Sequence, residues 1–200
     1  IMPEAAPAGS AALTYPWSFS YFKKVANRSY EENTSALGTV QTVEDFWQLY
    51  VHLRRPSSEE RPTNCDYHVF REGIRPMWED SENQAGGKWI VRLKKGLAAR
   101  YWEDLLLALM GGQFKGDEIC GAVLSVRYQE ACAPAPLSPL PARPSPPLLP
   151  APQDLLSLWN KSADSRRVCM QIRDTLRQVT GLPADATMEY KKHTDSMRDN

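Results

Sequence analysis

Two hundred residues at 22.6 kDa, with 24 basic and 24 acidic side chains, suit one ordinary domain with or without tails, and the zero net charge excludes a globally basic, histone-like binder of polyanions. Any contact with nucleic acid must therefore be local. No apolar run approaches the roughly 20 residues of a membrane-spanning helix, and the first ten residues lack the charged-then-apolar order of a secretory signal, so a soluble, cytoplasmic, monomeric protein is expected.

The chain starts at Ile1, and further residues are expected upstream. Residues 1–14 are rich in Ala and Pro and are expected to be disordered. From Tyr15 the pattern becomes that of a strand, with Trp17, Phe19 and Tyr21 on one face and Ser18 and Ser20 on the other. A short loop is expected next, then a helix of about eleven residues capped by Thr42, with Glu44 and Asp45 in the first turn where the helix dipole favours acids. Its core stripe is Phe46, Leu49, Tyr50 and Leu53. Lys88 to Lys94 alternates regularly, Trp89, Val91 and Leu93 opposing Lys88, Arg92 and Lys94, as a half-buried strand does. A second helix is predicted over about Arg100 to Met110. A third runs from near Asp164 to Thr180 with Val168, Ile172, Leu176 and Val179 on one face, stopped by Gly181 and Leu182-Pro183. Strands interspersed with three helices and lacking tight strand-helix-strand repeats predict an α+β fold, an antiparallel sheet backed by helices on one face.

Nine of the 16 prolines fall between Pro134 and Pro152. That density is incompatible with helix or sheet, so residues 131–153 are expected to be an extended insertion. The flanking stretches, Ile119 to Gln129 and Leu155 to Asn160, both read as strands, which places the insertion in a hairpin loop, where loop-closure cost grows only logarithmically with length. Its composition also fits translated intron sequence, an idea refuted if the messenger carries the insert in frame on ribosomes.

Enzyme chemistry finds little support. There is no Gly-rich phosphate loop, GxSxG or HExxH, and a Cys65–His68 nucleophile pair would rest on coincidence. The scattered Cys65, Cys120, Cys132 and Cys169 show no CxxC spacing, which argues against a disulfide framework or structural zinc. No catalytic residue, cofactor or metal is expected. More informative is GIRPMWEDSENQAGGKW, which places Trp78 and Glu79 together on a loop. A loop tryptophan commonly plugs a core; its alternative is a stacking platform, beside which a carboxylate accepts two parallel N–H bonds from a guanine edge. An aromatic face favours a cationic base in particular.

Thr42 to Tyr50 (TVEDFWQLY), Phe70 to Trp89, Ile119 to Arg127 and Gly181 to Ser196 are collinear blocks that together resemble the eukaryotic translation initiation factor 4E family, covering about Tyr15 to Ser196. The likeness is greatest to type 2 members, the class of the 4E homologous protein and the plant novel cap-binding protein. RSYEEN places Tyr30 where type 1 members carry a cap-stacking tryptophan, and the blocks around KWIVRLKKGLAARYWEDLLLALM and YKKHTDS are type 2 in character. The resemblance implies a curved antiparallel sheet with three helices on its convex face, and as ligand the 7-methylguanosine cap of messenger RNA. Tyr30 and Trp78 would sandwich the base, Glu79 would accept its N1 and N2 protons, the Trp78 amide would donate to O6, and Trp159 would meet the methyl group. Arg127 matches the family's phosphate-binding arginine, with Arg92, Lys88 and Lys94 as further charges. The resemblance also implies a convex partner surface for helices carrying Tyr-x4-Leu-hydrophobic, here Val43, Trp47, Asp104, Leu107 and Met110.

Departures from the family pattern are Ala11-Ala12-Leu13 for its His-Pro-Leu segment, Ser20 for a strand tryptophan, a shorter loop before Tyr30, the insertion after Arg127, and an end at Asn200 ahead of a last loop and strand. The implied role is a cap-binding translation regulator, acting as a repressor. The alternatives are a type 1 initiation factor and a cap-inactive interaction module with the proline segment as bait for SH3- or WW-type domains.

Overall fold

The computed structural model describes residues 10–56, 64–127 and 153–196. Within them, in chain order, lie β1 (Ala12–Lys23), α1 (Tyr30–Asn33), β2 (Thr34–Thr42), α2 (Val43–Tyr50), β3 (Cys65–Arg71), α3 (Ser81–Gln84), β4 (Gly87–Lys94), α4 (Ala98–Met110), β5 (Ile119–Val126), β6 (Gln153–Asn160), α5 (Arg166–Thr180), β7 (Met188–Lys192) and α6 (His193–Ser196). The seven strands form a single curved sheet in the order β2-β1-β3-β5-β6-β4-β7, and every pairing is antiparallel. α2, α4 and α5 back its convex face, while α1, α3 and α6 are single turns at the rim of the other. The α+β architecture with three long helices on one face is as expected from the sequence.

Alternation decides which side each residue takes. In β1, Trp17 and Phe19 enter the convex core, where they join Val69, Val91, Leu124, Leu156 and Leu158 from the sheet and Phe46, Trp102, Leu105, Leu106, Ile172 and Leu176 from the helices. A smaller cluster of Phe70, Cys120, Val123 and Trp159, with Ile74 against it, forms apart from that core. Gly121 makes it possible: a Cβ there would fall 2.4 Å from Cγ of Phe70, so only glycine lets this ring cross β5 and reach Trp159.

The helix ends follow the predicted chemistry. Thr42 caps α2, its hydroxyl accepting from the Asp45 N–H at 3.0 Å and the Asp45 carboxylate accepting from the Thr42 N–H at 3.0 Å, the reciprocal pair of a capping box. Ser165 caps α5, and Gly181 ends it in the left-handed conformation at φ 63°, which glycine adopts without a Cβ penalty.

Three expectations need correction. Residues 10–14 are ordered: the Ala11 carbonyl accepts the Val43 N–H at 2.9 Å, its own N–H donates to the Glu44 carboxylate at 3.1 Å, and β1 starts at Ala12, opposite Thr42. An alanine-rich segment is held here through its backbone, which composition does not reveal. The stretch read as a loop before α2 is the edge strand β2, whose only buried side chains are Val40 and Thr42, so it carries almost no apolar alternation. And α2 spans 8 residues rather than eleven.

β5 and β6 pair directly, Ser125 opposite Leu155, so the hairpin on either side of the proline-rich segment is closed. The insertion itself lies outside the described residues, apart from Gln153, which begins β6.

Candidate functional site

The loop from Arg75 to Asp80 is fixed from behind by its own continuation. Asp80 caps α3, accepting from the Glu82 N–H at 3.1 Å and from the Arg75 N–H at 3.2 Å. Asn83, fully buried, donates its side-chain amide to the carbonyls of Arg75 at 2.9 Å and Met77 at 2.8 Å. Gln84 donates to the Glu79 carbonyl at 2.9 Å, and the Tyr30 hydroxyl donates to the Pro76 carbonyl at 3.0 Å. Four carbonyls of the loop, those of Arg75, Pro76, Met77 and Glu79, are thereby satisfied. The Trp78 ring stays half-buried, the Glu79 carboxylate is exposed, and the Trp78 N–H has no hydrogen-bond acceptor among the described residues.

Tyr30, Pro76, Met77, Trp78, Glu79 and Trp159 line one cavity of ≈ 250 Å³. Residues from α1, the 75–80 loop and β6 thus converge, four of them named from the sequence. Ser29 starts α1 with its own capping box, and Phe22 of β1 stacks on the Tyr30 ring, centroids 4.9 Å apart and planes 24° from parallel. Burial, reinforced by the charges of Asp66 and Glu79, pushes the Tyr30 phenol up to about 12, so it stays protonated and keeps its bond to Pro76.

Trp159 forms the wall. It is buried, meets Phe70 edge-on at 5.4 Å, and has His193 on another side with ring centroids 4.3 Å apart. Lys88 places its ammonium 5.0 Å from the Trp159 ring centroid; desolvation and the neighbouring Lys191 pull its pKa below the usual lysine range. Arg127, at the end of β5, donates from Nη1 to Asp66 at 2.7 Å. Its backbone is pinned separately, the N–H to Asp154 at 3.1 Å and the carbonyl to the Lys95 ammonium.

Three of the sequence candidates, Arg92, Lys94 and Met110, are placed differently. Arg92 is outside the cavity and forms an exposed ion pair with Glu189 at 3.3 Å; Lys94 lies at the far end of β4 from Lys88. On the convex side, Val43, Trp47 and Leu107 are exposed, while Tyr50 of α2 and Trp102 of α4 are buried in the same core. Asp104 is partly exposed and faces Arg100 at 3.8 Å. Met110, expected on this surface, is instead in the core at 8% exposure, because it lies four residues after the buried Leu106 on the same face of α4. The sequence reading missed Asp66, Phe22, Asn83 and His193. Asn83 was visible as a polar residue three places after a cap; Asp66 and His193 gave no local signal.

Chemically, the slot offers two aromatic faces, an exposed carboxylate and an unpaired backbone donor on the same loop, and cationic side chains beyond. It suits a flat, cationic heterocycle carrying N–H donors and an anionic extension.

The profile of the family described as Eukaryotic initiation factor 4E matches residues 12–133 and 150–200. The chain is 42% identical over 206 residues to eukaryotic translation initiation factor 4E-4 of Caenorhabditis elegans, covering 100% of this chain and 85% of that protein. It is 42% identical over 196 residues to eukaryotic translation initiation factor NCBP of Arabidopsis thaliana, covering 96% and 77%. Among solved structures, the complex of C. elegans eIF4E-3 with the 4E-binding protein Mextli and cap analog superposes with a TM-score of 0.78 at 34% identity, covering 94% of this chain and 96% of that one.

Two predictions follow from the geometry around the slot. Asn83→Ala removes both carbonyl contacts and costs about 1–3 kcal/mol, read as a lower urea midpoint together with faster amide exchange in residues 75–80. Burial holds His68 and His193 down at about 4, below the ordinary 6.5. The unfolded chain takes up these protons first, so stability is full above pH 6.5 and is lost as the pH falls toward 4. His193→Gln makes the urea midpoint fall less steeply across that window.

Proposed function

This chain belongs to the eukaryotic initiation factor 4E family, cap-binding translation factors rather than enzymes, and from that footing we propose that it binds the 7-methylguanosine cap of messenger RNA between Tyr30 and Trp78. The observation that carries the proposal is the convergence of Tyr30, Trp78, Glu79 and Trp159, distant in sequence, on one cavity of ≈ 250 Å³. N7 methylation makes guanine a cation, and a cation against an aromatic face gains about 0.5–2 kcal/mol. Glu79 accepts the N1 and N2 protons, the Trp78 N–H donates to O6, and Trp159 meets the methyl group. Arg127 and Lys88 receive the phosphates, with Arg92 as a more distant charge. That a related worm protein was solved with a cap analog supports this reading.

Tyr30 in the first stacking position and the similarity to NCBP favour the type 2 class. In such a protein cap occupancy without efficient recruitment of the initiation scaffold dampens translation of selected messages, in the cytoplasm. The exposed Val43, Trp47 and Leu107, with Asp104 at their edge, supply the surface for a Tyr-x4-Leu-hydrophobic helix. A relative's complex with the 4E-binding protein Mextli supports that assignment, and residues 131–153 are an insertion tolerated by the β5–β6 hairpin. Among the described residues no helix is long and apolar enough to cross a membrane.

Glu79→Gln tests the site. Its charged acceptor is worth about 1.5–3 kcal/mol, so the substitution weakens binding of 7-methyl-GTP roughly 10- to 100-fold by calorimetry. A folded variant with unchanged affinity contradicts the assignment.

A further inference from the structure

We propose that Asp66 is an electrostatic brake on the phosphate end of the ligand, setting how strongly the protein responds to the number of phosphates. The inference rests on the cap-binding reading above and deepens it. Asp66 lies in β3 opposite Phe22 of β1 and Ser125 of β5, on the strand face that excludes Cys65, Tyr67 and Val69 of the convex core. Its carboxylate accepts from Arg127 Nη1 at 2.7 Å, and its side chain is only 17% exposed. Its negative charge is also felt by Tyr30, His68 and Lys88. One carboxylate thus pairs with Arg127 and acts through its charge on both the Tyr30 phenol and the Lys88 ammonium.

Its role is not to hold Arg127 in place. The backbone of Arg127 is fixed through Asp154 and Lys95, and Nη1 has a further, longer contact to the Cys65 carbonyl at 3.5 Å. What Asp66 adds is charge: paired with Arg127 it leaves a neutral unit where a polyanion would otherwise meet a full cation. The guanidinium has five N–H donors and Asp66 engages one, so a phosphate can still bind Arg127, but against the field of the carboxylate. The penalty grows with each phosphate added, whereas the base feels Asp66 chiefly as a favourable charge for its cationic ring.

Asp66→Asn keeps an oxygen acceptor for Arg127 and removes only the charge. Binding of 7-methyl-GMP, 7-methyl-GDP and 7-methyl-GTP is measured by tryptophan quenching for the wild type, Asp66→Asn, Arg127→Ala and the double variant, with thermal melts confirming folding. Removing one charge at this range is expected to tighten 7-methyl-GTP roughly three- to ten-fold, with a smaller effect for the diphosphate and least for the monophosphate. The gain shrinks in the Arg127→Ala background. A uniform change along the series, or weaker binding of the triphosphate by Asp66→Asn, overturns the proposal while leaving the cap-binding reading intact. A wild type that binds none of the three overturns both.

Discussion

A short loop must turn an indole and a carboxylate outward while its own carbonyls remain hydrogen-bonded, and the rest of the site depends on how that is met. Asn83 supplies two of the bonds, Gln84 a third and Tyr30 a fourth. The last closes the circle: the residue that forms one face of the slot also tethers the loop that carries the other. A phenol kept protonated by burial can make this bond and still present its ring. Phe22 behind Tyr30 and Phe70 behind Trp159 extend the aromatic layers into the sheet.

The sheet divides its labour by face. Its convex side is apolar and covered by α2, α4 and α5, which lets the concave side carry polar and charged groups that a core would not tolerate. Two histidines are buried on or near that side and held neutral, so the local charge balance is set by Lys88, Arg127 and Asp66 rather than by imidazolium. The exposed Trp47 lies across the fold from the slot, and ligand and partner surfaces therefore draw on different faces of the same strands and helices.

Much of this was legible in the sequence where the physics is local. Alternation in β1 and β4, the Thr42 cap, the Gly181 stop and the Trp78–Glu79 pair all rest on neighbours within a few residues. β2 was not legible, because an edge strand buries only two side chains. Residues 10–14 were misread because their order comes from backbone bonds to α2. Met110 was placed on the surface since LLLALM is apolar on every side, and only packing decides which residue faces out. Asp66 and His193 matter through the strands that flank them, and pairing across a sheet leaves no mark at short spacing.

The account turns on discrimination by charge: two rings and one carboxylate should distinguish a methylated, cationic purine from its neutral parent. Side-by-side tryptophan-quenching titrations of the wild-type chain with 7-methyl-GTP and GTP measure this directly. Binding of the methylated nucleotide at least tenfold tighter is the predicted result, and equal affinity for the two contradicts the account.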